Sequence, residues 1–299
     1  MLERRLPDHA PVDLILTLRP LWKGRGDPTM RLAGHQVERV GRGPDGAYAL
    51  RIWRDGPRLT AAAWGPGAAW ILDGVPALLG LDDDPTGFDA GRHPVIAGLA
   101  RRLPGLRIGR TRAVLEALLP AILEQKITGA EASRAYRGLI GRYGEPAPGP
   151  LGLRLHPAPT VLASLPYADF HPFGVERRRA DLIRRVFADA ARLEALVDGP
   201  AEAAAARLMA YAGIGPWTAA EVTGRAMGDA DAVSVGDYHL PNLVAWLLAG
   251  EARADDARML QLLEPWRGQR GRVIRLLEAS GLGPPRYGPR MPARAIEAI

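Results

Sequence analysis

The stretch Leu208-Met-Ala-Tyr-Ala-Gly-Ile-Gly-Pro-Trp-Thr-Ala-Ala-Glu-Val222 is followed, fifteen residues beyond Val222, by Asp237 in Val-Ser-Val-Gly-Asp-Tyr-His-Leu-Pro-Asn. The first segment reads as two short helices joined by a glycine hairpin. Gly213 and Gly215 permit positive φ and close backbone approach around an apolar Ile214. Pro216 suits the first helical position, where a missing N–H costs little. The amides that open the next helix then lack intrahelical partners. With the helix dipole they form an anion site that reads no sequence. Such a clamp suits a nucleic-acid backbone, where phosphate contacts position and base contacts specify. An ordinary helix–turn–helix with a glycine cap would use the same residues.

Asp237 is the residue here able to do chemistry. A carboxylate stabilises positive charge forming beside it and can orient or deprotonate water. The apolar run before it would keep it partly out of water, where its field is stronger. Aspartate is also a common N-cap, so Asp237 can equally start the helix that follows it. Both roles are compatible. Asp229 and Asp231 read as solvated loop residues.

Gly213-Ile-Gly-Pro-Trp-Thr-Ala219 with Gly236-Asp-Tyr238 resembles the helix-hairpin-helix DNA glycosylase superfamily, and within it the bacterial 3-methyladenine DNA glycosylase II. Further blocks follow that family's order: Pro104-Gly-Leu-Arg, Leu115-Glu, Ala121-Ile-Leu-Glu-Gln-Lys-Ile-Thr, Arg142-Tyr-Gly-Glu145, Gly174-Val-Glu-Arg-Arg-Arg-Ala180 and Pro265-Trp-Arg267. The resemblance implies an enzyme that flips an alkylated purine of the 3-methyladenine type from double-stranded DNA. It would hydrolyse the glycosidic bond and leave an abasic site. Two other readings stay open: a glycosylase for another damaged or deaminated base, and a non-catalytic DNA-binding module.

The resemblance also distributes roles. Asp237 becomes the catalytic carboxylate. Trp217 takes a pocket position, with Tyr238 and Trp22 close by. Glu221 stands where the family has tyrosine, and roughly Arg275 where it has tryptophan, so the pocket is expected to be more polar. Glu221 could accept a hydrogen bond from a purine or be an exposed helix residue. Lys126 occupies the family's apolar wedge position, with Gln125 before it. Gly213, Ile214, Gly215, Pro216 and Thr218 would meet the strand. Arg177, within Arg177–Arg179, and Arg267, Arg270 and Arg272 would line the duplex. A sodium or potassium ion would sit on the main-chain carbonyls of Met209, Tyr211 and Ile214. Bifunctional relatives carry a Schiff-base lysine where this chain has Trp217. Its only lysines are Lys23 and Lys126, so no strand-nicking lyase activity is expected.

Composition agrees with a polyanionic partner. The net charge is +6 and the pI about 10, which favours nucleic acid without proving it. The absence of cysteine excludes disulfides and a cysteine-held iron–sulfur cluster. The histidines form no His-x-x-x-His pair, which argues against a metalloenzyme. No apolar run approaches a membrane span, and no signal-peptide core follows Met1. A monomer in the cytoplasm, at the nucleoid, is expected.

The elements that position these residues divide by texture. An α+β fold is expected: a β-rich N-terminal domain over 1–90 packed on a helical core over 91–299, with two helical lobes and a cleft between them. Segments 13–19, 48–54 and 59–64 read as strands. Gly41-Arg-Gly-Pro-Asp-Gly46 matches a dinucleotide fingerprint in letters only. Pro44 and the strand after it make it a β-turn. Segment 80–87 reads as a linker or helix-start loop. Helical patterns cover 112–123, 130–142, 176–191, 201–211, 240–249, 254–263 and 271–279.

Overall fold

The computed structural model describes residues 1–6, 11–56 and 58–284. Its strands are β1 Leu2–Arg5, β2 Met30–Ala33, β3 Gln36–Gly43, β4 Gly46–Asp55 and β5 Arg58–Trp64. They form one antiparallel sheet in the order β1-β5-β4-β3-β2. The helices of the N-terminal half are α1 Leu14–Leu18, α2 Ala68–Leu78, α3 Pro94–Arg102, α4 Val114–Leu123 and α5 Gly129–Tyr143. Then follow α6 Pro159–Ser164, α7 Tyr167–Phe170, α8 Arg177–Ala188, α9 Ala190–Glu194, α10 Ala201–Met209 and α11 Pro216–Val222. The last three are α12 Leu240–Ala249, α13 Asp256–Leu263 and α14 Arg270–Ala279.

The expected α+β architecture is present. Gly43 and Gly46 pair across a two-residue β-turn between β3 and β4. Alternation sorts the sheet's faces. Tyr48, Leu50 and Ile52 pack under α1 and α2, while Ala49 and Val40 meet Leu151, Leu153 and Leu155 on the other side. The segment 13–19 is a correction. It is helical rather than extended, because the Asp13 carboxylate accepts the Leu16 amide at 2.9 Å and starts a helix whose Leu14 and Leu18 are buried.

Two separate apolar cores fill the helical part. One gathers α4, α5, α8, α10 and α11 around Leu118, Ile122, Leu139, Ile183, Leu208 and Ile214. The other gathers α3, α12, α13 and α14 around Ile96, Val244, Met259, Trp266, Val273 and Leu277. The chain passes from the first core to the second through residues 228–239, which carry Asp237.

The segment 80–87 is no free linker. Arg272 on α14 makes two bonds to Asp83, 2.8 and 2.5 Å, with side chains only 6% and 5% exposed. Gln269 donates to the carbonyls of Asp84 and Thr86 at 3.2 and 3.3 Å. Arg272 is therefore a core tie and not, as its sequence position implied, part of a duplex-facing row. Removing one member of a buried ion pair strands the other charge. Arg272→Ala should lower unfolding stability by about 3–5 kcal/mol. Denaturant melts of wild type and variant check this, and a loss below about 1 kcal/mol would contradict the buried tie.

Candidate active site

The hairpin forms where the glycines require it. Gly213 has φ +106°, and a β-carbon there would lie 3.1 Å from Leu182. Gly215 is extended and precedes Pro216 at the start of α11. Ile214 is buried between the helices, and its amide donates to the Tyr211 carbonyl at 2.9 Å. The turn's carbonyls are partly engaged: Arg185 donates to Ala212 at 2.7 Å, and Gln125 to Gly213 at 3.0 Å. Gln125 also donates to the Thr218 hydroxyl at 2.9 Å. These bonds fasten the end of α4 to the hairpin. They engage the Gln125 NH2 group and leave that side chain half-buried, while Thr218 is buried.

Lys126 follows with φ +55°, an uncommon conformation for a residue with a β-carbon, and its side chain is exposed beside the hairpin. Of the carbonyls expected to hold a monovalent ion, that of Tyr211 already accepts the Ile214 amide, which leaves it one lone pair. Neutral carbonyl oxygens of this kind suit a hard monovalent cation.

Asp237 is half-buried, and its two oxygens are divided between elements. Oδ1 accepts the amides of His239 and Leu240 at 2.7 and 2.8 Å, opening α12. Oδ2 accepts the Trp217 indole N–H at 3.1 Å, across from α11. Capping and presentation at the hairpin therefore coexist in one side chain. Tyr238, next in sequence, is 84% exposed with its ring edge against His239.

Glu221 lies one turn beyond Trp217 on α11. It is neither exposed nor free. One oxygen accepts the Ser234 hydroxyl at 2.6 Å, and the other pairs with Arg225. Burial pushes its carboxyl up, but the Arg225 charge and the bonds from Ser234 and Arg225 hold it below the usual range. Arg225 also donates to the Pro20 carbonyl at 3.1 Å, next to Trp22, which is partly buried against the sheet's core. Lys23 pairs with Glu124, which caps the end of α4, at 2.8 Å. Arg275 donates to the Leu16 carbonyl at 3.0 Å, and desolvation pushes its guanidinium down to about 10. A set of paired charges thus lies behind Trp217 and Asp237. Sequence reasoning identified Glu221 and Arg275 as polar replacements but missed Ser234, Arg225 and Lys23. Arg225 stands four residues from Glu221, a helical spacing that could have flagged the pair, whereas Ser234 and Lys23 have partners 13 and 101 residues away.

The basic residues divide. Arg177 is exposed and lies over the Tyr167 ring, 4.2 Å from its centroid. Arg267 is exposed and paired with Glu264 at 2.7 Å. Arg179 is buried and donates to the Leu123 carbonyl at 2.9 Å. Arg270 is bound by Asp231 at 2.8 Å, and Asp231 also accepts the amides of Gly268 and Arg270. Arg179 and Arg270 therefore serve the fold. Asp231, read from sequence as solvated, is an anchor for the start of α14. Asp229 likewise accepts the Asp231 amide at 2.9 Å.

Comparison with known proteins adds ancestry. No family model matches the chain. Two curated Mycobacterium tuberculosis proteins, each called a probable bifunctional transcriptional activator/DNA repair enzyme AlkA, are 31% identical over 167 residues. The match covers 54% of this chain but only 34% of the length of these relatives. Among solved structures, the 3-methyladenine DNA-glycosylase from Archaeoglobus fulgidus superposes with TM-score 0.78 at 21% identity, covering 94% and 98% of the two chains. A Clostridium acetobutylicum 8-oxoguanine glycosylase/lyase in complex with DNA gives TM-score 0.71 at 13% identity, covering 94% and 99%. Over the matched residues the chain is thus similar to AlkA, and it shares the fold of these solved DNA glycosylases.

Proposed function

We propose that the protein is a monofunctional DNA glycosylase that excises alkylated purines, of the 3-methyladenine type, from double-stranded DNA. The observation that carries this reading is Asp237, split between the start of α12 and Trp217 on the hairpin's second helix. The open amides of α11 grip a phosphate of the damaged strand. The extruded nucleotide then brings C1′ to the Asp237 carboxylate, which stabilises the cationic sugar and orients water. Trp217 offers a ring face to the base, and a cationic alkylpurine is attracted to it. Lys126, exposed at the end of α4, fills the gap left in the duplex with its stem and meets a phosphate with its amine. Arg177 and Arg267 add sequence-independent attraction. A sodium or potassium ion on the Met209, Tyr211 and Ile214 carbonyls would strengthen the grip on the phosphate.

A second reading, a glycosylase for another damaged base, is favoured by one observation. Glu221, where the resembling family has tyrosine, is charged and paired with Arg225, and Arg275, roughly where it has tryptophan, is a half-buried cation bonded to the Leu16 carbonyl. Neighbours in fold include an 8-oxoguanine glycosylase/lyase.

The test is a panel of duplexes each carrying one lesion. The wild type should release 3-methyladenine in preference to oxidised or deaminated purines. The reverse order would favour the second reading. Asn keeps one oxygen for the His239 and Leu240 amides but turns its NH2 toward the Trp217 indole, so Asp237→Asn should fold with that single bond lost. Its single-turnover excision should fall at least about a hundredfold while duplex affinity holds. An unchanged rate would remove Asp237 from catalysis.

The position of the Schiff-base lysine is Trp217, so the product should be an intact strand with an abasic site. Borohydride should trap no protein–DNA adduct, and strand cleavage should require added alkali or heat. A trapped adduct, or nicking without alkali, would show that Lys126 or Lys23 reaches C1′.

A further inference from the structure

We propose that Glu221 is a positioning residue that holds the Asp237 loop in its working place through Ser234. This rests on Asp237 being the catalytic carboxylate. Helix α11 touches the loop at two rungs four residues apart. Trp217 donates to the Asp237 carboxylate at 3.1 Å, and Glu221 accepts from Ser234 at 2.6 Å. Residues four apart share one helix face, so both rungs come from the same side of α11. Elsewhere the Val235 and Asp237 amides turn back on Val233 and Ser234 at 2.8 and 3.2 Å, and the Gly236 amide donates to Asp256 at 3.1 Å. Val233 and Val235 rest against the second core, while Gly236 has φ +94° and open space beside its α-carbon.

Glu221 is itself immobilised. Arg225 binds its carboxylate and its main-chain carbonyl, the latter at 3.0 Å, and reaches on to Pro20 at 3.1 Å. The order of support therefore runs from the Pro20 carbonyl through Arg225 and Glu221 to the Ser234 hydroxyl, three residues before the carboxylate. A bond to a charged acceptor is stronger than a neutral one. Glutamate in place of an aromatic ring thus exchanges base-stacking surface for control over the loop.

The test uses Ser234→Ala, which removes the rung without stranding a charge, and Ser234→Thr, which keeps the hydroxyl. Hydrogen exchange reads the loop directly, because the His239 and Leu240 amides are held by Asp237. Their exchange should speed up about tenfold in Ser234→Ala and stay near wild type in Ser234→Thr. Single-turnover excision should also fall about tenfold in the alanine variant, with duplex affinity unchanged. A merely structural role would weaken affinity and excision together. Should the alanine variant not fold, Ser234→Cys, a weaker donor of similar size, should give an intermediate exchange rate. Equal exchange in the alanine and threonine variants would overturn the proposal. A wild type that releases no base from any duplex would instead overturn the glycosylase reading, and the exchange comparison would still decide whether the rung holds the loop.

Discussion

The arrangement depends on how one carboxylate divides its two oxygens. One takes the first amides of α12 and the other takes an indole N–H from α11. A capping aspartate is ordinarily oriented by its own helix alone. Here the second acceptor fixes the remaining rotation and joins the two helical cores through a single side chain. Under the proposed function, a group already held by three donors needs little reorganisation when positive charge forms beside it. Pre-set electrostatics of this kind lower barriers more than flexible ones.

Under the proposed function, the hairpin works by the complementary principle of leaving donors unpaired. Glycine at 213 tolerates the positive φ, and proline at 216 adds no N–H to the opening turn of α11. Gln125 ties the turn to the end of α4. On that reading, a rigid surround and unpaired amides at the helix start together make an anion grip that ignores base sequence.

Much of this was legible in the chain and some was not. The glycine hairpin, the capping aspartate and the strands over 48–54 and 59–64 follow local rules, and α12 begins and ends where its pattern predicts. The segment 13–19 misled because Leu14, Leu16 and Leu18 alternate with other residues like a half-buried strand, while the capping signal of Asp13 outweighed that alternation. The arginines misled for a different reason. Composition says only that cations are abundant. Whether one faces solvent depends on a carboxylate far along the chain, such as Asp83 for Arg272, 189 residues away. No spacing rule reports that. Ser234 escaped notice because a serine in a loop is ordinary until its partner is known.

The bond from Arg225 to the Pro20 carbonyl has a consequence for how the molecule can change over evolutionary time. At this contact the sheet-bearing half contributes a main-chain oxygen, and not a side chain, to the scaffold behind the site. Main-chain groups survive amino-acid replacement, so the residues around position 20 can drift in identity while the contact persists. What they cannot do is shift in register: a one-residue insertion between α1 and Pro20 would move that oxygen and leave a guanidinium without its outer support. Tolerance to substitution combined with intolerance to length change is the pattern to expect there.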